Sequence, residues 1–267
     1  PNRSDCLGVR GIARDLAACG EGTFIETKLE KIKINSKKTI KVEIEKESGC
    51  FQFGSCFIEG VVNKESPDWL KRQLESVGQK SISAIVDITN YVMLDMNRPL
   101  HAYDADKISN KIIIRKSKKG ETFQALDGKK YSLSNNSCVI ADDSKILGLG
   151  GILGGELSGT AINTANVVIE AASFDPISIA KSSKELGIIT DAKYRFERGV
   201  DPNSLEEGLT KAAKLIQEIC GGKIGKINIV GASVYKERKI NFIFSNFKKL
   251  IGFEISKSDS IKILENK

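Results

Sequence analysis

Two segments in the first 80 residues carry apolar residues at helical spacing behind a residue that caps helices. Asp5 is predicted to cap a helix that runs to about Cys19 and ends at Gly20. Ser66 is predicted as the N-cap of a second helix with Pro67 as its first residue, because the missing N–H of proline costs nothing there.

Three later segments also predict helices. An apolar, helix-like stretch covers residues 82–96. Asp175, followed by proline, predicts the start of a helix that ends at Gly187. The segment Asn203–Cys220 carries a continuous apolar stripe, and the glycine pair that begins at Gly221 ends it.

Strands are predicted between these helices, and the Asp127-Gly128 pair predicts a hairpin with a type I′ turn. Helices and strands do not alternate regularly, so the pattern predicts an α+β fold with mixed or antiparallel sheets and flanking helices. The predicted strands are 39–46, 55–63, 111–116, 138–142, 146–149, 166–170 and 226–230.

The last 30 residues have a separate pattern. A strand is predicted at Lys239–Phe244, then a short helix that Ser245 caps, then a further helix that Ser256 caps with Asp259 three residues on. The apolar residues of that last helix have no predicted partner, so we expect residues 236–267 to open a further domain.

Composition narrows the class of protein. The chain has 267 residues, 40% of them hydrophobic, and no apolar run approaches the ~18 residues of a membrane span. It begins with Pro1 and shows no signal-peptide pattern, which predicts an excised piece of a longer, cytoplasmic protein. Six scattered cysteines without a C-x-x-C pair, together with a single histidine, favour reduced thiols over a zinc site or a disulfide framework.

The net charge of +7 is concentrated near the C-terminus. Residues 221–267 hold ten Lys/Arg and four Asp/Glu, so the preceding residues are close to neutral. The charge therefore does not by itself establish a nucleic-acid-binding surface on the main body.

Three features carry candidate chemistry, each with a structural alternative. His101 is the only histidine, and it fits a buried structural role, a general base or a substrate contact. The glycine run 148–155 predicts close approach of the backbone either to a ligand or to neighbouring chain. Glu170 lies in an apolar strand, where a carboxylate is costly unless it is paired, for example with Arg195 or Arg198, or binds a polar ligand. The alternating charges of residues 194–201 favour a structural cluster of ion pairs.

Together these motifs resemble the central part of the β subunit of bacterial phenylalanyl-tRNA synthetase. The matching segments occur in family order over residues 1–202: PNRSDCLG at 1–8, ARD at 13–15, SPDWL at 66–70, VDITNYVML at 86–94, PLHAYD at 99–104, LDG at 126–128, the glycine run, VIEAA at 168–172, TDA at 190–192 and RFERGVDP at 195–202. The tail from about residue 236 resembles the beginning of the next domain of that subunit.

The resemblance implies an editing module that hydrolyses tyrosine wrongly esterified to phenylalanine tRNA. It implies that Glu170 accepts a hydrogen bond from the tyrosine phenol and that His101 acts beside the ester, as a base or as a group that positions water. The remaining implied substrate contacts are Thr89, Asn90, Ala102, Lys80, Gly150, Gly151, Gly154, Thr190 and Ala192. Lys80 stands where the family usually has arginine, so a bidentate contact is lost there while the charge remains.

The resemblance also implies the protein's partners and organisation. It implies an α subunit in an α2β2 enzyme and phenylalanine tRNA as partners, with no membrane. It implies ATP and magnesium bound in the assembled enzyme and no cofactor in this segment. It divides the chain into an editing domain at 1–202, a connector at 203–235 and a truncated further domain at 236–267. The alternative is a scaffold that presents tRNA and has weak or lost editing.

Overall fold

The computed structural model describes residues 3–26, 31–235, 237 and 239–265, and it confirms an α+β fold. The helices are α1 (Val9–Ala18), α2 (Asp68–Glu75), α3 (Ala84–Met96), α4 (Pro176–Leu186), α5 (Asp191–Phe196), α6 (Leu205–Cys220), α7 (Phe244–Ile251) and α8 (Lys257–Glu265). The strands are β1 (Lys41–Ile44), β2 (Cys50–Glu59), β3 (Leu100–Asp104), β4 (Lys111–Lys116), β5 (Thr122–Gln124), β6 (Lys130–Ser132), β7 (Cys138–Ala141), β8 (Ile146–Leu149), β9 (Leu153–Gly154), β10 (Asn166–Phe174), β11 (Lys223–Ile224) and β12 (Asn228–Gly231).

Two sheets build the body of the described chain. The first has the order β1-β4-β7-β8-β9, with β1 and β4 parallel and the other pairs antiparallel. The second is antiparallel with the order β11-β2-β10-β3, and β12 also pairs with β2. β3 is therefore an edge strand of the second sheet, and no strand of the described chain pairs with its outer edge.

The second sheet separates two hydrophobic cores because β10 is apolar on both faces. Val168 and Ala172 belong to the first core, between the two sheets, whereas Val167, Ile169 and Ala171 belong to the second core, which includes residues of α2, α3 and α6. This alternation explains why the sequence of β10 is a continuous apolar run. A carboxylate in such a strand must point into one of the two cores, and Glu170 shares the face of Val168 and Ala172.

A buried arginine fixes the start of β3. Arg98 has no exposed surface, and its Nε and Nη1 donate to Ser204 Oγ (2.9 Å) and to the Ala172 carbonyl (2.7 Å). Nη2 donates to the Asp201 carbonyl. The guanidinium therefore joins the chain just before β3 to β10 and to the start of α6, which sets the position of His101 three residues later.

Most of the predicted elements are confirmed, and α4 and α8 have the capping residues that the local sequence predicts. Asp175 accepts a hydrogen bond from the Ser178 amide (3.0 Å), and Gly187 ends α4 in the left-handed conformation. Ser256 accepts from the Asp259 amide (3.0 Å) at the start of α8.

The predicted caps at the first two helices are wrong. Asp5 lies in a short 3-10 helix, Ser4–Leu7, and α1 begins only at Val9, because the Asp5 carboxylate pairs with Arg3 and Arg14 instead of an amide. Ser66 donates its hydroxyl to the buried Asp87 (2.6 Å) and does not cap α2. In both cases another side chain binds the group that the local pattern assigned to the helix cap.

Two predictions at turns and in the tail also need correction. Gly128 has a positive φ and Asp127 does not, so the hairpin between β5 and β6 does not contain a type I′ turn, which needs two such residues. The described residues 239–243 form no strand, because no neighbouring strand pairs with them. α7 begins at Phe244, so Ser245 lies inside its first turn and does not cap it.

Removal of the α4 cap has a modest expected cost. Asp175→Ala leaves the Ser178 amide without its acceptor and should lower the free energy of unfolding by about 1 kcal/mol. The check is the midpoint of urea unfolding, with Asp175→Asn as the matched control that keeps an acceptor. Equal midpoints for the alanine variant and the natural chain would contradict the assignment.

Candidate functional site

A cavity of about 340 Å³ lies between the edge strand β3, helix α3, the start of α5 and the β8–β9 hairpin. Its lining is mainly apolar, with a few convergent polar side chains, which is the usual composition of a small-molecule site. The polar lining residues are Thr89, Asn90, His101, Tyr103, Thr160, Glu170, Thr190 and Asp191.

All but two of the predicted site residues line this cavity. They come from five parts of the chain that are distant in sequence: Thr89 and Asn90 from α3, His101 and Ala102 from β3, Gly151 and Gly154 from the β8–β9 hairpin, Glu170 from β10, and Thr190 and Ala192 from the start of α5. Ala102 also packs in the second core, because it alternates with His101 along β3.

Gly150 and Lys80 do not line the cavity. A Cβ on Gly150 would lie 2.8 Å from the Phe174 ring and 2.9 Å from Cys138 Sγ, so this glycine makes room for the first core behind the cavity wall. Lys80 is exposed in the loop before α3. Its neighbour Gln79 donates to Asp191 (2.9 Å), which places that loop beside the cavity rim.

The antiparallel register places the two main polar groups opposite each other. His101 of β3 pairs directly with Glu170 of β10. Side chains of directly paired residues lie on the same face with Cβ atoms about 5 Å apart. Tyr103, two residues after His101, lies on that face too and pairs with Val168.

Glu170 accepts a hydrogen bond from the Tyr103 hydroxyl at its Oε2 atom. The residue is only 6% exposed, and burial raises the pKa of its carboxyl to about 7, against the opposing effect of the Tyr103 hydrogen bond. Its other oxygen, Oε1, has no hydrogen-bond partner among the described residues, and Glu170 lines the cavity. One carboxylate oxygen is thus held by the protein and one is left for a ligand.

The structural alternative, in which Glu170 pairs with Arg195 or Arg198, is not observed among the described residues. Arg195 binds the Asp191 side chain (3.2 Å) and the Leu7 carbonyl (3.1 Å). Arg198 binds Glu197, which also pairs with Lys193 (2.7 Å). These contacts confirm that the charges of residues 194–201 form structural ion pairs, and a buried phenol takes the place of the arginine at Glu170.

His101 is neutral at physiological pH and unsatisfied. Burial lowers the pKa of its imidazole to about 4, and Nε2 is buried with no hydrogen-bond partner among the described residues. Its ring packs edge to face against Tyr103 with centroids 4.5 Å apart. A buried nitrogen without a partner, at the wall of a cavity, is a group that a bound ligand or water can satisfy.

Gly154 leaves the space that the His101 ring occupies. A Cβ at this position would lie 2.3 Å from His101 Cε1 and 2.8 Å from Nε2. Gly151 has φ +69°, and a Cβ there would meet Phe174, Ile179 and Phe196 at about 3 Å. Gly151 therefore allows close packing in the first core, and Gly154 leaves room for the His101 ring at the cavity.

The remaining polar side chains divide into structural groups and free groups. Thr89 donates to the Val86 carbonyl (2.7 Å), and Thr190 donates to the Ile152 carbonyl (2.7 Å) while it caps α5 through the Lys193 amide (3.1 Å). Thr190 thereby joins α5 to the β8–β9 hairpin. The Asn90 amide has no hydrogen-bond partner among the described residues and remains available to a ligand.

The described ranges contain neither a metal-binding cluster nor a membrane-spanning helix. No group of three or more His, Cys, Asp or Glu side chains there could hold a metal ion, and no helix there is long and apolar enough to cross a membrane. The six cysteines are free thiols, and burial raises the pKa of Cys56 and of Cys138 to about 12.

The raised pKa of Glu170 predicts a pH-dependent stability difference. The folded chain holds this proton more tightly than the unfolded chain, so the contribution of Glu170 to stability is present below about pH 4.5 and is lost as the pH rises through about 7. When the pH rises from 5 to 8, the free energy of unfolding of the neutral variant Glu170→Gln should therefore increase by at least about 1 kcal/mol relative to that of the natural chain. His101 titrates in both chains, so its effect cancels in this comparison.

Urea unfolding of both chains at pH 5 and pH 8 measures this difference. A stability difference that stays constant across that range would show that Glu170 is ionised throughout, and it would contradict the burial assigned to the carboxyl.

Comparisons with known proteins agree with this architecture. Residues 49–221 match the B3/4 domain family. The phenylalanine–tRNA ligase β subunit of Rhodopseudomonas palustris is 44% identical over 266 residues, and that of Brucella suis is 43% identical over 268 residues. These alignments cover 100% and 99% of this chain, and the chain spans 33% of each relative.

A solved structure shows a similar fold. An N-terminal fragment of the phenylalanyl-tRNA synthetase β subunit from Pyrococcus horikoshii superposes with a TM-score of 0.50 at 17% identity, over 99% of this chain and 74% of that one. The match of residues 49–221 covers more than half of the chain and contains His101, Gly154 and Glu170. The chain therefore belongs to the B3/4 domain family, and along its whole length it is similar to the β subunits of phenylalanine–tRNA ligases.

Proposed function

We propose that the cavity is an editing site that hydrolyses tyrosine wrongly esterified to phenylalanine tRNA. One observation carries the proposal: a buried carboxylate with one oxygen free, Glu170, faces an apolar cavity opposite a neutral, unpartnered imidazole, His101. The similarity to phenylalanine–tRNA ligase β subunits names the chemistry in which such a site is useful.

The carboxylate supplies discrimination between tyrosine and phenylalanine. The tyrosine phenol donates a hydrogen bond to Glu170 Oε1, whereas phenylalanine has no hydroxyl and leaves that oxygen desolvated without a partner. An unpaired polar group in a closed site costs about 1–3 kcal/mol, and a site built around a hydroxyl rejects the analogue that lacks it. An apolar synthetic pocket rejects an added hydroxyl only weakly, so a second site is needed.

Hydrolysis proceeds by direct attack of water on the ester. The water oxygen forms a bond to the ester carbonyl carbon, the bond between that carbon and the ribose oxygen breaks, and one proton of the water ends on the ribose oxygen. The products are free tyrosine and the ribose hydroxyl of the tRNA. Since the pKa of His101 is about 4, its neutral imidazole accepts a hydrogen bond from the attacking water and orients it. Asn90 also lines the cavity, and we propose that its free amide contacts the backbone of the bound amino acid.

The wider context is part of the same proposal. The protein acts within a phenylalanine–tRNA ligase, an aminoacyl-tRNA synthetase of the cytoplasm, with an α subunit in an α2β2 assembly and phenylalanine tRNA as substrate. ATP and magnesium serve aminoacylation at the α subunit. Residues 1–202 form the editing domain, residues 203–235 complete it, and residues 236–267 begin the next domain.

The rival function is a scaffold that presents tRNA with editing weak or lost. One observation favours it: Tyr103 already donates a phenol to Glu170, so part of the acceptor is occupied. The test uses an assembled ligase whose β subunit carries this sequence at the matching positions. Preformed tyrosyl ester on phenylalanine tRNA should be hydrolysed well above the rate in buffer. Normal phenylalanine charging without accelerated release of tyrosine would show a scaffold.

A further inference from the structure

Tyr103 contacts both of the groups on which the proposed function depends. It is 1% exposed, its hydroxyl donates to Glu170 Oε2, and its ring packs edge to face against His101. The register places all three side chains on one face of the second sheet. The proposed reaction gives this tyrosine no role, yet its phenol is the same chemical group that the site is proposed to select.

We infer that Tyr103 is a positioning residue that holds one oxygen of Glu170, presents the other oxygen to the substrate phenol, and braces the ring of His101. This inference rests on the proposed function and adds a residue that determines its specificity. The two phenols do not compete, because an ionised carboxylate has two oxygens and accepts several hydrogen bonds.

The surroundings of Glu170 explain why it needs this donor. Across the neighbouring strands it faces His101 on β3 and Ser55 on β2, and the titratable groups nearby besides Tyr103 and His101 are the thiols of Cys50 and Cys138. None of these groups is a cation at neutral pH. Tyr103 is therefore the one group among the described residues that donates a hydrogen bond to the carboxylate, and it favours the ionised form.

The isosteric variant Tyr103→Phe separates the two contacts. It removes the hydroxyl from Glu170 and keeps the ring beside His101. In the assembled ligase we expect KM for the tyrosyl ester to rise about tenfold. We expect kcat to stay within about threefold, because the bracing of His101 is retained. Tyr131→Phe is the matched control, since Tyr131 also donates to a carboxylate, that of Asp127 (2.7 Å), on the exposed β5–β6 hairpin.

The pH dependence distinguishes positioning from simple packing. Loss of the donor makes Glu170 hold its proton more tightly, so the tyrosine preference should require a higher pH in the variant than in the natural chain. The probes are tyrosyl and phenylalanyl adenosine with an amide in place of the ester, titrated from pH 6 to pH 9. A purely structural role would lower binding of both probes equally and would leave the pH midpoint of the preference unchanged.

The outcomes separate the role of Tyr103 from the proposed function. Binding of the tyrosyl probe by Tyr103→Phe that equals or exceeds natural binding at every pH would overturn the inference and show that the Tyr103 hydroxyl competes with the substrate. If the natural chain itself shows no tyrosine preference, the proposed function fails. Tyr103 is then tested separately by NMR titration of the Glu170 carboxyl, whose pKa should rise in the variant. An unchanged carboxyl titration would overturn the positioning role.

Discussion

The variant Glu170→Ala is expected to lose about 100-fold of the preference for tyrosyl over phenylalanyl ester. The natural carboxylate accepts a hydrogen bond from bound tyrosine, whereas bound phenylalanine leaves the carboxylate oxygen desolvated and unpaired. The alanine variant has no carboxylate, so both effects are lost. The change should appear in KM for the tyrosyl ester, because Glu170 binds the ring hydroxyl and is not assigned a bond-making role. Steady-state hydrolysis of both esters on phenylalanine tRNA measures it.

Glu170→Gln is the graded control for this prediction. Its side-chain carbonyl still accepts a hydrogen bond from a phenol but carries no charge, so the preference should fall only about tenfold. Equal preference in the natural chain, the glutamine variant and the alanine variant would remove Glu170 from substrate recognition. Both variants remove the burial cost of the charge, and the glutamine carbonyl keeps an acceptor for the buried Tyr103 hydroxyl, so loss of folding is not the expected explanation for the glutamine variant.

The variant His101→Ala is expected to lower the hydrolysis rate about 100-fold while tyrosine remains preferred. This value lies at the low end of the range for general bases, because an imidazole with a pKa of about 4 orients the water but is too weak a base to take its proton. The rate in the natural chain should show no change near pH 6.5 that depends on His101. Hydrolysis by His101→Ala at the natural rate would exclude the imidazole from the reaction.

Gly154→Ala tests the same ring from the other side. The new methyl group would lie 2.3 Å from His101 Cε1, so the ring must move, and hydrolysis should fall nearly as far as in His101→Ala. Gly148→Ala provides the comparison, because Gly148 pairs with Gly154 and the nearest atom to its Cβ lies 3.4 Å away. A larger loss in Gly148→Ala than in Gly154→Ala would contradict the geometric explanation.

Elements with local signals were predictable from the sequence. α4 has an aspartate cap, a proline and a terminal glycine, so its bounds are predicted correctly. The apolar run of β10 predicts where that strand begins, although the strand continues beyond the predicted 166–170 to Phe174. The errors came from side chains that bind another side chain instead of the helix amides: Ser66 binds Asp87, and Asp5 binds Arg3 and Arg14. Local spacing carries no information about partners that approach through the fold.

The candidate site shows the same division. His101 and Glu170 were identifiable by residue type and family resemblance, but their direct pairing depends on the register between β3 and β10. Tyr103 was missed, although its position two residues after His101 in an alternating strand placed it on the same face. Gly150 was assigned to the wall with its neighbours, but the turn directs it into the first core.

In the proposed function, the free oxygen of Glu170 selects a tyrosine phenol for hydrolysis. The most direct test compares the natural chain with Glu170→Ala in the assembled ligase and measures kcat/KM for tyrosyl and phenylalanyl ester on phenylalanine tRNA. We expect a strong tyrosine preference that falls about 100-fold in the variant. Preferential hydrolysis of tyrosine that survives the loss of Glu170, or no hydrolysis by the natural chain, would contradict it.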